Sequence, residues 1–176
     1  MKKLLREAEY WYQRFKDILF TKRCLSCGAL VDVFSDKLFC PACEKTAVRR
    51  GELCPQFYGA DFLSLYTYSG AVREAVHAFK FRGDERCGIY LAEELAKGLE
   101  PYRAGYDCVV CVPYYRLKKG RKYHAAEFLA ARAAKLLDLP FDANALQKTR
   151  PAASQTRQKS RRARFLNVRG VYRVQK

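Results

Sequence analysis

Four cysteines, Cys24, Cys27, Cys40 and Cys43, follow the spacing C-x2-C-x12-C-x2-C and constrain the start of this chain more tightly than any other feature. Each C-x2-C pair lets one tight turn aim two thiolates at a single point, and two such pairs make the closed tetrahedral sulfur shell of a structural zinc site. Gly28 follows the first pair and Pro41 lies inside the second, as short turns require. Between them, Leu30, Val31, Val33, Phe34, Leu38 and Phe39 alternate as in a small hairpin. Two disulfides, or thiols that merely pack, are the competing accounts. With no secretory context to favour disulfides, the spacing predicts Zn2+ in a structural role.

The remaining composition bounds the class. The chain has 176 residues, 49% hydrophobic and 14% aromatic, which is the composition of a folded domain with a small appended module. No apolar run approaches the roughly 20 residues of a membrane span, and no signal-peptide core of about 7–15 apolar residues is present. A cytoplasmic, reducing location is the expectation. The net charge of +16 is uneven: residues 1–112 carry 17 Lys and Arg against 15 Asp and Glu, whereas residues 113–176 carry 17 against 3. That basic final third attracts phosphates, whether on a nucleotide, a phosphorylated small molecule or a nucleic-acid backbone.

Periodicity divides the chain into an amphipathic helix at 1–20, a zinc-ribbon module at 21–46, a linker at 47–60 and an α/β domain at 61–176. In the helix, Leu4, Leu5, Ala8, Trp11, Tyr12, Phe15, Ile18 and Leu19 share one stripe. Cys54 falls in the linker and is read as a non-ligand. Beyond it the pattern predicts a strand at 62–68 and a helix from Ser69 as cap to about Phe81. A second helix from Asp84 as cap to about Leu99 follows, then a fully buried parallel strand from Asp107 to Val112. A helix at 124–138 comes next, with Phe128, Leu129, Ala133, Leu136 and Leu137 inward. A short strand at 141–146, an aperiodic basic loop at 147–164 and a last strand at 168–174 complete the reading. Strand, helix, buried strand and helix in this order predict a parallel sheet with flanking helices.

Two basic segments are candidates for anion binding. Arg116, Lys118, Lys119, Arg121 and Lys122 lie between a parallel strand's carboxyl end and a helix N-terminus, where phosphate or pyrophosphate is commonly held. A solvated loop is the alternative. The second segment holds Lys148, Arg150, Arg157, Lys159, Arg161, Arg162 and Arg164 and no acid. It suits closure over a polyphosphate or contact with a single strand, though only Phe165 offers a stacking surface. Cys108 and Cys111 form a third C-x2-C, but an offset of three along a strand puts the sulfurs on opposite faces, so both, like Cys87, are expected to pack as small apolar residues. His77 and His124 are isolated and carry no catalytic set.

These elements, in this order, resemble the ComF family of competence-associated proteins, which join a zinc ribbon to a type I phosphoribosyltransferase-like domain. The likeness rests on Ile18-Leu19-Phe20, the four-cysteine module, Tyr68-Ser69-Gly70-Ala71-Val72-Arg73, Phe79-Lys80-Phe81-Arg82-Gly83-Asp84, Asp107 to Pro113, and Asn167-Val168-Arg169-Gly170. The resemblance implies a pyrophosphate loop at Pro113–Tyr123. It also implies a flexible loop at Thr149–Arg164, with Gln155, Ser160 and Arg164 at family-like positions, that closes on phosphoribosyl pyrophosphate and Mg2+. It further implies DNA uptake, single-stranded DNA and a helicase-like partner.

The chain departs from that family in two places. Lys122, Tyr123, His124 and Ala125 stand where the family has Gly-aromatic-Asn-Gln, and the loop is one residue shorter. The segment with two adjacent acids and a Thr-Thr-Gly-Ala turn, which would grip ribose and 5′-phosphate, is not found. The expectation is therefore an incomplete phosphoribosyltransferase-like sheet, Mg2+ and phosphoribosyl pyrophosphate binding only if that segment is supplied, and little or no transferase activity. The alternatives are a zinc-dependent single-stranded nucleic-acid-binding or adaptor module, and a truncated reading frame without independent function.

Overall fold

The computed structural model describes residues 10–12, 15, 22–32, 35, 37–57, 60–114 and 124–175. The chain is mixed α/β and divides into two compact units, Met1–His77 and Ala78–Lys176. No helix among the described residues is long and apolar enough to cross a membrane.

In the first unit the helical residues 10–12 and 15 fall within the expected N-terminal helix, and the rest of that helix lies outside the described residues. The cysteine module opens with a tight loop. Arg23 bridges antiparallel to Leu30, and the Cys24 N–H donates to the Ala29 carbonyl at 2.7 Å. A tight hairpin therefore forms around the first cysteine pair, at 22–31, and the expected hairpin at 29–39 lies partly outside the described residues. Gly28 closes it with φ +74°, a conformation that a Cβ would penalise. A single helical turn, α1 (Pro41–Glu44), carries the second pair.

The expected linker at 47–60 is instead strand β1 (Arg49–Phe57), paired antiparallel with β2 (Ala60–Tyr66). Its pattern is hidden by two breaks in register. One spans Gly51, which has φ +59°, and the other spans Pro55, which has no N–H to donate. The hairpin leads into α2 (Gly70–His77), whose first turn is capped from a distance. The Ser69 carbonyl accepts from the Arg73 N–H, but the hydroxyl that receives the Ala71 N–H is that of Thr46, at 3.0 Å.

The second unit begins with a π-helical turn, Ala78–Arg82, where the sequence predicts continued α-helix. Asp84 then caps α3 (Glu85–Leu99) as expected, its carboxylate accepting from the Arg86 N–H at 3.1 Å. Helix α3 packs on α4 (Ala125–Leu136) through small side chains: Ala92, Ala96, Ala133 and Ala134 are buried, and Leu95, Leu99 and Leu139 fill the rim around Ala96, Ala133 and Leu137. Leu136, expected inward, is half exposed. Gly88 permits the closest approach, since a Cβ there would lie 2.5 Å from the Phe79 ring and 2.8 Å from the Phe128 ring. The Arg103 guanidinium closes the carboxyl end of α4 by donating to the Leu137 and Asp138 carbonyls.

Strand β3 (Val109–Val110) pairs parallel with β4 (Phe141–Asp142), and α4 connects them. The parallel pairing agrees with the expectation, but full burial does not. Among the described residues β3 has one neighbour, and Val110 and Val112 are 46% and 59% exposed. The expected strand at 141–146 is broken, because the Asp142 carboxylate accepts from the Asn144 and Ala145 N–H groups and turns the chain. Beyond the turn, β5 (Leu146–Lys148) pairs antiparallel with β6 (Tyr172–Val174). The basic segment between them is not an aperiodic loop. It contains a 3-10 turn at Gln155–Arg157 and helix α5 (Arg161–Val168), which absorbs Val168 from the expected last strand.

Candidate metal centre

The four cysteines of the C-x2-C pairs converge. Their sulfurs all lie within 4.8 Å of one another, and the Cys27 and Cys40 sulfurs are 3.7 Å apart. With Zn–S bonds of about 2.3 Å, the corners of a tetrahedral sulfur shell lie about 3.8 Å apart, so the Cys27–Cys40 pair already has that spacing and the widest pair would need to close by no more than about 1 Å. Cys24 is buried, Cys40 and Cys43 are half-buried, and Cys27 is exposed.

The electrostatics of the cluster also favour a dication. Burial opposes ionisation of Cys24, but the N–H groups of Cys40, Cys27 and Ser26 point at its sulfur and bring it down to about 6. Cys43 moves the other way: the Cys27 thiol pushes it up to about 12, against a lowering contribution from Ser26. One sulfur is thus ready to ionise while its neighbour resists a second negative charge. A bound divalent ion removes that conflict by neutralising both. Four protein sulfurs would close a tetrahedral shell around such an ion and would leave no open position for a reacting water. Lys37 pairs with Glu44 beside the second cysteine turn at 3.0 Å. The Cys54 side chain lies outside the described residues.

The other predicted sites are distributed differently. Arg116, Lys118, Lys119, Arg121 and Lys122 lie outside the described residues. At their edge the structure forms a cavity of about 300 Å³ at the carboxyl ends of β3 and β4, lined by Cys111, Tyr114, His124, Asn144, Gln147 and Lys148 among others. His124 stands at the N-terminus of α4 with its ring edge-on to Tyr114, the centroids 5.4 Å apart. Cys111 faces this cavity, and burial, then the Glu127 charge, push its thiol up. Cys108 is exposed, which corrects the expectation that both pack as apolar residues; it precedes a two-residue strand that has one neighbour among the described residues. Cys87 is fully buried, and its thiol is pushed up to about 12 by burial and the Asp84 charge, as befits a packing residue.

The basic segment folds back on itself. The Ser160 hydroxyl caps α5 by accepting from the Ala163 N–H at 3.1 Å. The Gln155 side chain donates to the Arg164 carbonyl at 3.3 Å, and the Arg164 guanidinium donates to the Gln158 carbonyl at 3.3 Å. The Asn167 side chain bonds both the N–H and the carbonyl of Ala153. Arg150, Arg157, Lys159, Arg161, Arg162 and Arg164 are exposed. Sequence reasoning missed Thr46 and Asn144, whereas Tyr114 falls within the expected loop at Pro113–Tyr123. The Asp142-Ala143-Asn144 turn signal could have located Asn144, whereas nothing local marks Thr46. No family model, curated protein or solved structure was found to match the chain.

Proposed function

We propose that this chain is a ComF-type protein in which a structural zinc knuckle precedes a phosphoribosyltransferase-like α/β unit with little or no transferase activity of its own. The observation that carries this reading is the convergence of Cys24, Cys27, Cys40 and Cys43 within 4.8 Å, ahead of a parallel strand–helix–strand unit that opens on a cavity. Zinc bound there would supply charge neutralisation and rigidity. The chain's residues do the rest: Gly28 and Pro41 set the two turns, and backbone N–H groups steady the Cys24 sulfur. Within the 176 residues no pair of adjacent acids is followed by a Thr-Thr-Gly turn, the element that the resemblance expects to grip ribose 5′-phosphate. A cytoplasmic setting, DNA uptake and a helicase-like partner belong to the same proposal. Native mass spectrometry is expected to show one Zn2+ per chain, and titration calorimetry with phosphoribosyl pyrophosphate and Mg2+ is expected to show no micromolar binding. A metal-free protein overturns the first part, and tight binding the second.

A second reading, single-stranded nucleic-acid binding, is favoured by α5. Arg161, Arg162 and Arg164 crowd its first turn, where the helix dipole disfavours cations and an anion would relieve the strain. Phe165 and Leu166 beside them are 59% and 51% exposed. Fluorescence anisotropy with single-stranded DNA over a salt series tests this, with a steep fall of affinity expected. A flat salt response removes it.

A further inference from the structure

We propose that Thr46 is a positioning residue that makes the start of helix α2 depend on occupancy of the metal centre. The inference rests on the zinc reading above. Thr46 is fastened to the second cysteine pair: its N–H and its hydroxyl both donate to the Cys43 carbonyl, at 2.9 and 2.6 Å. The same hydroxyl oxygen accepts from the Ala71 N–H at 3.0 Å, which satisfies a donor in the first turn of α2. A hydroxyl has one proton and two lone pairs, so a single Thr46 oxygen fills both roles without conflict.

The hairpin brings the two ends together. Pairing of Arg49 with Tyr66, and donation from the Thr67 N–H to the Val48 carbonyl at 3.0 Å, set Thr46 opposite the start of α2. Gly70 gives the room: its φ is +48°, and a Cβ there would lie 2.4 Å from the Thr46 hydroxyl and 2.8 Å from its carbonyl. Ala71, directly behind, is fully buried, so water does not readily replace the hydroxyl.

Metal enters through α1. A helix of four residues, Pro41–Glu44, cannot hold itself, since nucleation is unfavourable and one turn gains too few bonds. Ligation of Cys40 and Cys43 pins both ends of that turn and hence the Cys43 carbonyl. Releasing the metal frees the turn, and Thr46 moves with it. The cap on Ala71 is then lost. In this way the state of a site at residues 24–43 is read at residue 71.

Hydrogen–deuterium exchange on the full chain, with Zn2+ and after chelation, tests the relay. In the wild type, exchange in the peptide that begins α2 is expected to rise about five- to tenfold on chelation. Thr46→Val, which keeps shape but not the hydroxyl, is expected to bind metal with unchanged stoichiometry and to show fast exchange there in both states. Thr46→Ser is expected to restore the metal response. Wild-type protein that binds Zn2+ yet shows the same exchange at α2 with and without it overturns the relay. Absence of bound metal overturns the zinc reading instead. Should Thr46→Val fail to fold, the wild-type and Thr46→Ser measurements decide alone.

Discussion

The metal centre and the cavity beside β3 are built by opposite routes. All four candidate cysteine ligands come from one stretch of 20 residues, and short turns with fixed spacing bring them together. The cavity gathers Tyr114, His124, Asn144 and Lys148 from three separate segments, each placed by a different strand or helix end. Spacing specifies the first arrangement; tertiary packing specifies the second. A site of the first kind should therefore survive changes elsewhere but collapse when its ion is removed. A site of the second kind should answer to core packing far from it.

The largest effect tests the first half of that contrast. Apparent binding energies of structural zinc are about 10–16 kcal/mol, and in small modules this energy is folding energy. Chelation, or Cys40→Ser, is expected to abolish metal retention and to unfold residues 22–46, read by native mass spectrometry and by loss of exchange protection at the Cys24 N–H, which bonds the Ala29 carbonyl. Metal loading should also fall steeply in acid, because protons compete for all four sulfurs. Persistent protection at Cys24 in the chelated protein would place the knuckle among folds held by packing alone.

A core change tests the second half. In Gly88→Ala the new methyl meets the Phe79 and Phe128 rings at 2.5 and 2.8 Å. Those rings already pack with centroids 5.0 Å apart. Overpacking of this kind costs about 1–3 kcal/mol, and the better helix propensity of alanine returns about 1. A net loss centred on about 1 kcal/mol, and at most about 2, is expected in urea unfolding, with metal content unchanged. A variant as stable as the wild type would show that the α3–α4 contact yields freely.

The same contrast explains what was legible in the sequence. The C-x2-C pairs, the Asp84 cap and the α3 and α4 helices are local signals, and the structure agrees with each. Strand β1 was hidden because Gly51 and Pro55 read as linker residues, although in an antiparallel hairpin they mark breaks in register. Helix α5 was hidden because arginines dominate its sequence and leave no apolar period; the Ser160 cap was its one local signal. The exposure of Val110 and Val112 was not legible either, since an apolar run says that a strand can be buried and not that a neighbour covers it. Thr46 acts across 25 residues, a distance at which sequence pattern carries no information.

The basic lobe between β5 and β6 falls between the two kinds of site. Its cations are adjacent in sequence, yet Asn167, Gln155 and Ser160 hold them in a folded excursion. If it binds single-stranded DNA, replacing Arg161, Arg162 and Arg164 together with alanine is expected to reduce the slope of log affinity against log salt by about 2 to 3. An unchanged slope would move the contact elsewhere on the basic third of the chain.

The smallest effect concerns Asp84, the local signal that the structure reproduces most directly. Its carboxylate accepts from the Arg86 N–H and pairs with the Arg86 guanidinium at 2.9 Å. The Arg86 side-chain bond holds the carboxyl below its ordinary 3.8, against the opposing effect of burial. A carboxyl lowered on folding contributes stability above its unfolded value and loses it as pH falls through the folded one. That contribution is therefore present at neutral pH and fades below about pH 4. The ion pair is largely exposed on the Arg86 side and adds little alone. Asp84→Ala should cost about 1 kcal/mol through the lost cap, whereas Asp84→Asn should keep most of the cap and lose only the charge. Amide exchange at Arg86 separates the two contributions. The gap between wild type and Asp84→Asn should close as pH falls below about 4, while the gap to Asp84→Ala should narrow only in part. A gap to Asp84→Asn that stays constant from neutral pH into strong acid would mean that hydrogen-bond geometry, and not charge, fixes the start of α3.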